Sequence, residues 1–308
     1  MTGAEVQLTT PVAFFVFNRP IHTARVFDRI RKMQPRILLL IADGPRAGRK
    51  EDDERCREVR MVLERVDWPC IIHKTFSEKN LGCGVRIRTG LDWVFTIVDE
   101  AIILEDDCLP EADFFLFCEK MLQRFRDSSR VLMVSGHNEL GEWKKSEASY
   151  FFTLGNIWGW ATWRRAWALN DPDLAQFESL KATDCLQSLK REIPALADLI
   201  GNGCREVKGG HIDTWDYQWA FSRVLHNGLG VVPAVNLIEN IGFDQNATHT
   251  SARTISPLPA VPLCLPLRHN DKQEMDWAYY RNVFGPGWLY RIRCSLSSWR
   301  ATFNINGK

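Results

Sequence analysis

The stretch Ala101-Ile102-Ile103-Leu104-Glu105-Asp106-Asp107 sets four apolar residues directly before three adjacent carboxylates. A short unbroken apolar run bounded by polar residues reads as a strand buried on both faces. The carboxylates then stand at its carboxyl end, where open parallel sheets bind ligands. Burying three like charges is costly unless a cation or hydrogen-bond donors satisfy them. Oxygen ligands suit Mg2+ or Mn2+, which keep substrate phosphates as further ligands. Taken alone, the tripeptide reads equally as a solvated acidic loop; its place after a buried strand favours a site.

Strands and helices alternate on the amino-terminal side of this run. Residues 11–17, 37–42 and 70–73 read as strands. Pro20 fits a first helical turn, and Ile21, Ala24, Phe27 and Ile30 form a stripe ended by Pro35. Asp43-Gly44-Pro45 is a turn signal, and Cys56, Val59, Leu63 and Val66 stripe the next, highly charged helix. Asn80-Leu81-Gly82-Cys83-Gly84 opens a helix with Leu91, Val94 and Val98 on one face. This alternation means βαβ units and a mostly parallel α/β sheet flanked by helices.

The carboxyl-terminal half is less regular. Residues 131–135 and 229–235 read as strands, and 176–200 and 215–226 as helices. Gly201, Gly203, Gly209 and Gly210 mark residues 201–210 as a loop. The aromatic and Gly-rich stretch 150–167 gives no clean periodicity and reads as a partly irregular wall. Four prolines exclude regular structure over 257–266. Residues 288–303 are basic and apolar, a docking helix or a weak membrane-surface element. The expected division is one large domain over 1–255, with halves at 11–135 and 136–255. A Pro-rich, basic extension over 256–308 packs on it.

Composition narrows the function classes. With 308 residues the chain can bury a large core without disulfides or metal. Lys and Arg number 39 against 38 acidic residues, so nucleic acid is not the expected partner. No apolar run is long enough to span a membrane, and residues 1–7 lack the pattern of a secretory signal. The nine Cys form no CxxC pair, which argues against a zinc ribbon or disulfide framework and for a reducing, cytoplasmic setting. Of twelve Trp, five fall between Trp143 and Trp167, a concentration that suits either core packing or stacking on sugar rings.

Further motifs fall at the same sheet edge: Phe17-Asn18-Arg19-Pro20 after the first strand and Asp43-Gly44-Pro45-Arg46 after the second. Later come Trp158-Gly159-Trp160-Ala161-Thr162-Trp163, Trp215-Asp216-Tyr217-Gln218-Trp219, and Asn240-Ile241-Gly242-Phe243 leading to Thr248-His249. In this order, over residues 11–250, they resemble the GT-A glycosyltransferases. The Glu-Asp-Asp form is similar to that of the N-acetylglucosaminyltransferase I group and of bacterial nucleotide-diphospho-sugar transferases.

The resemblance implies a GT-A fold and a metal-dependent, inverting transfer of a sugar from a nucleotide-diphosphate donor, a UDP-sugar, with Mn2+ or Mg2+ as cofactor. The acceptor would be a glycan, a lipid-linked sugar or a protein, placing the enzyme in the cytoplasm or at the inner face of the membrane. Asp107 would contact the metal. His249 would be a second metal ligand, a diphosphate partner, or simply a surface or core histidine. Glu105 and Asp106 would touch ribose, base or metal-bound water, and Asp43 the uracil edge. Phe17, Asn18, Arg19, Asn80 and Gly82 would line the nucleotide. Arg46 would meet phosphate or stay solvated. Trp158, Gly159 and Trp160 would line donor and acceptor, or else pack as core.

Asp216 matches the base that deprotonates the acceptor hydroxyl, with Asp213 the alternative. If residues 213–219 are helical, both carboxylates lie on one face, or one caps that helix, a role that suits Asp213. Tyr217 stands where the eukaryotic group has a second Asp, which leaves the base open between the two. The rival readings are a sugar-phosphate nucleotidyltransferase and a non-catalytic nucleotide- or glycan-binding protein. The first strand is followed by Phe-Asn-Arg-Pro and not by a Gly-rich loop, which counts against the former.

Overall fold

Apolar runs without alternation become the central strands, because both their faces are covered. The structure is a computed structural model that describes residues 7–242, 258–270 and 272–285. The first half alternates as expected: β1 (Val12–Val16), α1 (Pro20–Met33), β2 (Ile37–Ala42), α2 (Lys50–Leu63), β3 (Ile71–Phe76), α3 (Cys83–Ile97) and β4 (Glu100–Glu105). Then follow β5 (Cys108–Pro110), α4 (Ala112–Phe125), β6 (Val131–Ser135), β7 (Tyr150–Thr153), β8 (Trp160–Trp163), α5 (Arg164–Trp167), α6 (Leu180–Glu192), α7 (Pro194–Lys208), α8 (Asp216–Leu225), β9 (Leu229–Pro233), β10 (Ile238–Asn240) and α9 (Trp277–Val283).

One eight-stranded sheet has the order β3-β2-β1-β4-β8-β6-β9-β7. Strands β8 and β7 run against the others. Both β2 and β4 pair with β1 in parallel, so the chain leaves β1 on one side and returns on the other. That reversal makes a crevice beyond the carboxyl ends of β1 and β4, a topological switch point. Glu105, paired in register with Phe15, brings the acidic run to that place. A small ribbon of β5 and β10 sits beside it.

Several sequence expectations are corrected. In α1 the buried stripe runs through Thr23, Val26, Phe27 and Ile30, and Ile21 is exposed. Strand β3 extends to Phe76 and is a sheet edge that leaves Ile71 60% exposed. The supposed irregular wall contains two fully buried strands, β7 and β8, because tightly packed aromatics need no alternation. The Gly-rich stretch expected as a loop is helical through Lys208. Its reason is packing: a Cβ on Gly203 would lie 2.2 Å from the Tyr217 ring, so α7 approaches α8 closely only with Gly there. Residues 258–266 contain no regular element, as the prolines require. Helix α9 was not anticipated, and the segment 288–303 lies outside the described residues.

Two buried clusters fill the molecule. The larger covers both faces of the sheet from Leu8 to Leu263. The smaller lies under β7 and β9 and is closed by α6, α7, α8 and α9. Tyr280 of α9 accepts a hydrogen bond on its hydroxyl from the Leu154 amide at 2.9 Å, tying the late chain to β7. Among the described residues no helix is long and apolar enough to cross a membrane.

The helical reading of 201–208 makes a paired prediction. Gly201→Ala meets only the Arg205 guanidinium at 3.8 Å and should raise stability by about 1 kcal/mol. Gly203→Ala should lower it by about 1–3 kcal/mol through overpacking. Urea denaturation of the two variants reads both signs; equal effects would contradict the α7–α8 contact.

Candidate active site

Arg19 follows β1 and meets the acids that follow β4. Its Nε lies 3.3 Å from Asp106 and its Nη1 3.0 Å from Asp107. The Phe17 amide donates to Asp106 at 3.2 Å. Asp106 is buried, Asp107 and Glu105 partly so, and the Arg19 side chain is 29% exposed. Burial opposes the charge on Arg19, but Asp106 and Asp107 outweigh it and raise its pKa. Burial, then Asp107 and Asp106, push Glu105 up to about 8. Burial likewise raises Asp106, with Arg19 pulling the other way. Among the described residues one guanidinium thus faces three carboxylates in a partly dry crevice, which leaves negative charge in excess there.

The late acidic motif reaches the same place. Cys83 opens α3, and its thiol is pushed well up by burial and then by Glu105, Asp213, Asp216 and Asp107. All four acids are thus near enough to act on that one buried thiol. Asp216 Oδ1 accepts from Thr214 Oγ1 at 2.6 Å and from the Tyr217 amide at 2.8 Å. Burial pushes Asp216 up to about 6. Asp213 does not cap its own helix as expected. Its Oδ1 accepts from the Gly84 amide at 3.0 Å, capping α3. Cβ atoms on Gly82 and Gly84 would lie 2.3 and 2.6 Å from its carboxylate, which explains both glycines. Gly82 also has φ +80°, the left-handed region.

Trp residues aim Asp216. Trp160 stacks on Trp215 with centroids 5.5 Å apart, and Trp167 and Trp219 close the cluster. Trp215 and Trp219 anchor the first turn of α8 inward, leaving Asp216 partly exposed between them. Trp160 is 1% exposed, so its expected sugar contact is corrected to core packing. Gly159 has φ +57°, and a Cβ there would lie 2.4 Å from Ile238, so it too serves close packing. Trp158 is partly buried and meets His137 edge-to-face at 4.7 Å.

The loops after β1 and β2 are tied by a residue the sequence reading missed. Asp52, 2% exposed, accepts from Asn18 Nδ2 at 2.7 Å, Arg46 Nε at 2.6 Å and Arg46 Nη2 at 2.9 Å. Arg46 in turn lies over the Phe17 ring at 5.4 Å. The available signal was spacing: Asp52 precedes Cys56, Val59 and Leu63 on one helical stripe. Asp43 is occupied by its own surroundings. It accepts from the Gly44 amide at 2.9 Å, the Leu81 amide at 3.0 Å and Asn80 Nδ2 at 2.8 Å. In this structure it holds the 80–82 loop.

Residues 240–242 run against the acids. The Ile241 amide donates to the Asp107 carbonyl at 2.8 Å, and His22 Nε2 lies 3.0 Å from the Ile241 carbonyl. A Cβ on Gly242 would lie 2.7 Å from Asp107 Oδ2, so only Gly leaves that space open. His249 lies outside the described residues. Among the described residues no group of three or more His, Cys, Asp or Glu is placed to hold a metal ion.

No protein-family model matches the chain, and no curated protein matches it in sequence. Among solved structures, the chain is similar to UDP-glucose pyrophosphorylase complexed with UDP-glucose, at 9% identity and a TM-score of 0.24. The overlap covers 47% of this chain and 62% of that one, less than two thirds of its length.

The Asp52 clamp makes a prediction. Arg46 and Asn18 hydrogen bonds hold the Asp52 carboxyl below its usual range against the cost of burial. Its contribution is therefore present above about pH 4 and lost as acid titrates it. Asp52→Asn should cost about 2 kcal/mol at pH 7, a gap that narrows as pH falls below about 4. Denaturant unfolding at a series of pH values measures it; a gap independent of pH would contradict the ion pair.

Proposed function

We propose that this chain is a metal-dependent glycosyltransferase of GT-A type. It moves a sugar from a nucleotide-diphosphate donor, in our reading a UDP-sugar, to a hydroxyl of a glycan, lipid-linked or protein acceptor. The observation that carries the proposal is the convergence of Glu105, Asp106 and Asp107 with Arg19 at the β1/β4 switch point. A site with negative charge in excess among its described residues suits a ligand that arrives as a diphosphate with its cation.

Each residue then has a role set by its position. Asp107, beside the space left by Gly242, would hold Mn2+ or Mg2+ together with the donor phosphates. When bound, the cation supplies Lewis-acid neutralisation of the leaving diphosphate. Arg19 adds a fixed positive charge to the same phosphates. Phe17 and Arg46 offer stacked flat surfaces for the base, held by Asp52.

Asp216 takes the proton from the acceptor hydroxyl as that oxygen bonds to the anomeric carbon. The bond from that carbon to the β-phosphate oxygen breaks, and the electron pair leaves with the diphosphate. Attack opposite the leaving group inverts the anomeric centre. The Asp216 carboxyl at about 6 suits this role, being ionised at neutral pH yet more basic than an ordinary Asp. Asp213, engaged as the cap of α3, is the lesser candidate. A base at Asp216 would be of no use to a nucleotidyltransferase, whose attacking phosphate is already ionised.

UDP release from a panel of UDP-sugars, with water or a simple glycoside as acceptor, tests the proposal. Asp216→Asn should lower turnover at least about a hundredfold while leaving donor affinity unchanged. Wild-type turnover should rise with pH through about 6. Because burial raises this carboxyl in the folded state, its ionisation costs stability above the unfolded carboxylate range. Asp216→Asn should then melt higher than wild type at pH 7. Full turnover in that variant would overturn the assignment of the base.

A further inference from the structure

A second cavity lies beyond the same sheet edge. Tyr150 opens β7 opposite Pro233 at the end of β9, so this end of β7 faces the carboxyl side. The chain before it, joined to Ala234 through the Trp143 amide at 2.8 Å, extends past that edge. Between it and the late chain is a cavity of about 400 Å³, lined by Trp143, Lys144, Glu147, Tyr150, Lys272 and Asp276 among others. That size is within the range of small-molecule sites. From β4 to β7 there are four interstrand steps of about 4.8 Å, so the cavity is roughly 19 Å from the acidic crevice along the sheet.

The walls are organised in advance. Asp276 Oδ2 accepts from the Trp143 indole Nε1 at 3.0 Å and from Lys144 Nζ at 2.8 Å. Tyr279 meets the Trp143 ring edge-to-face at 5.8 Å. Lys144 has φ +48°, a left-handed conformation that a non-Gly residue rarely takes, and its ammonium lies 5.5 Å over the indole. Trp143 is partly exposed, so a fixed aromatic surface borders a space ringed by donors and acceptors.

Charge selects the ligand. The lining cations Lys144 and Lys272 are matched by Glu147 and Asp276. Such a site has no excess charge to attract a phosphate, and too many polar groups for a lipid tail. A neutral polyhydroxyl ring satisfies both halves: its C–H face lies on indole and its hydroxyls bond to ammonium and carboxylate.

We infer that this cavity binds a neutral hexose or N-acetylhexosamine ring of an extended glycan acceptor, apart from the ring that reacts. The binding of the ring rests on the cavity alone; its belonging to the acceptor rests on the transferase reading above.

Saturation-transfer NMR on the full chain tests it without nucleotide or metal, using glucose, galactose, mannose, N-acetylglucosamine, rhamnose and glucose 1-phosphate at millimolar concentration. The expected result is binding of at least one neutral sugar, retained in Asp107→Ala and about tenfold weaker in Trp143→Ala. Glu147→Ala, on an exposed side chain, should weaken it too and guards against misfolding of the Trp variant. No neutral sugar binding, binding unchanged in both variants, or binding of glucose 1-phosphate alone would each overturn the inference. Loss of binding in Asp107→Ala would move the ring to the acidic crevice and also overturn it. Failure here leaves the transferase reading standing, since UDP release is measured separately.

Discussion

Three carboxylates against one guanidinium is the constraint from which the rest of the site follows. Glu105, Asp106 and Asp107 leave a buried strand together, so none can turn fully back to water. Arg19 is delivered to them because β1 and β4 are neighbours and their following loops share one crevice. Arg19 balances part of the charge, and burial first, then Asp107 and Asp106, raise the Glu105 carboxyl to about 8. The donor with its cation, as proposed above, would relieve this imbalance by bringing positive charge to it.

Hydrogen bonds tie down the loops around this crevice. Asp52 gathers the loops after β1 and β2, Asp43 gathers the loop before α3, and Asp213 caps α3 itself. Each is an acid spent on backbone or side-chain donors, in contrast to the run after β4. The four-Trp cluster does the same for α8 by packing rather than charge. A flat indole buried on its large faces fixes both position and angle, so the partly exposed Asp216 inherits a defined direction.

The first half of the fold was legible because its signals are local. Strand ends, Pro20 and the Asp43 turn each read within a few residues, and the acidic run followed from its strand. What the sequence hid depends on contacts between distant segments. The Gly203 helix looks like a loop until Tyr217 is seen against it. Asp213 looks like a cap for its own helix, yet it serves α3, 129 positions away along the chain. Trp160 looks like a sugar platform until Trp215 covers it. Asp52 sat within a highly charged helix, and only its register with Cys56 distinguished it from its solvated neighbours.

The central claim is that the crevice needs a cation delivered with a diphosphate. Calorimetric titration of UDP into the full chain, with and without Mn2+, measures this directly. The account predicts affinity at least about tenfold higher with Mn2+, and no such gain in Asp107→Ala. Equal affinity with and without Mn2+, or a gain that survives in Asp107→Ala, would contradict it.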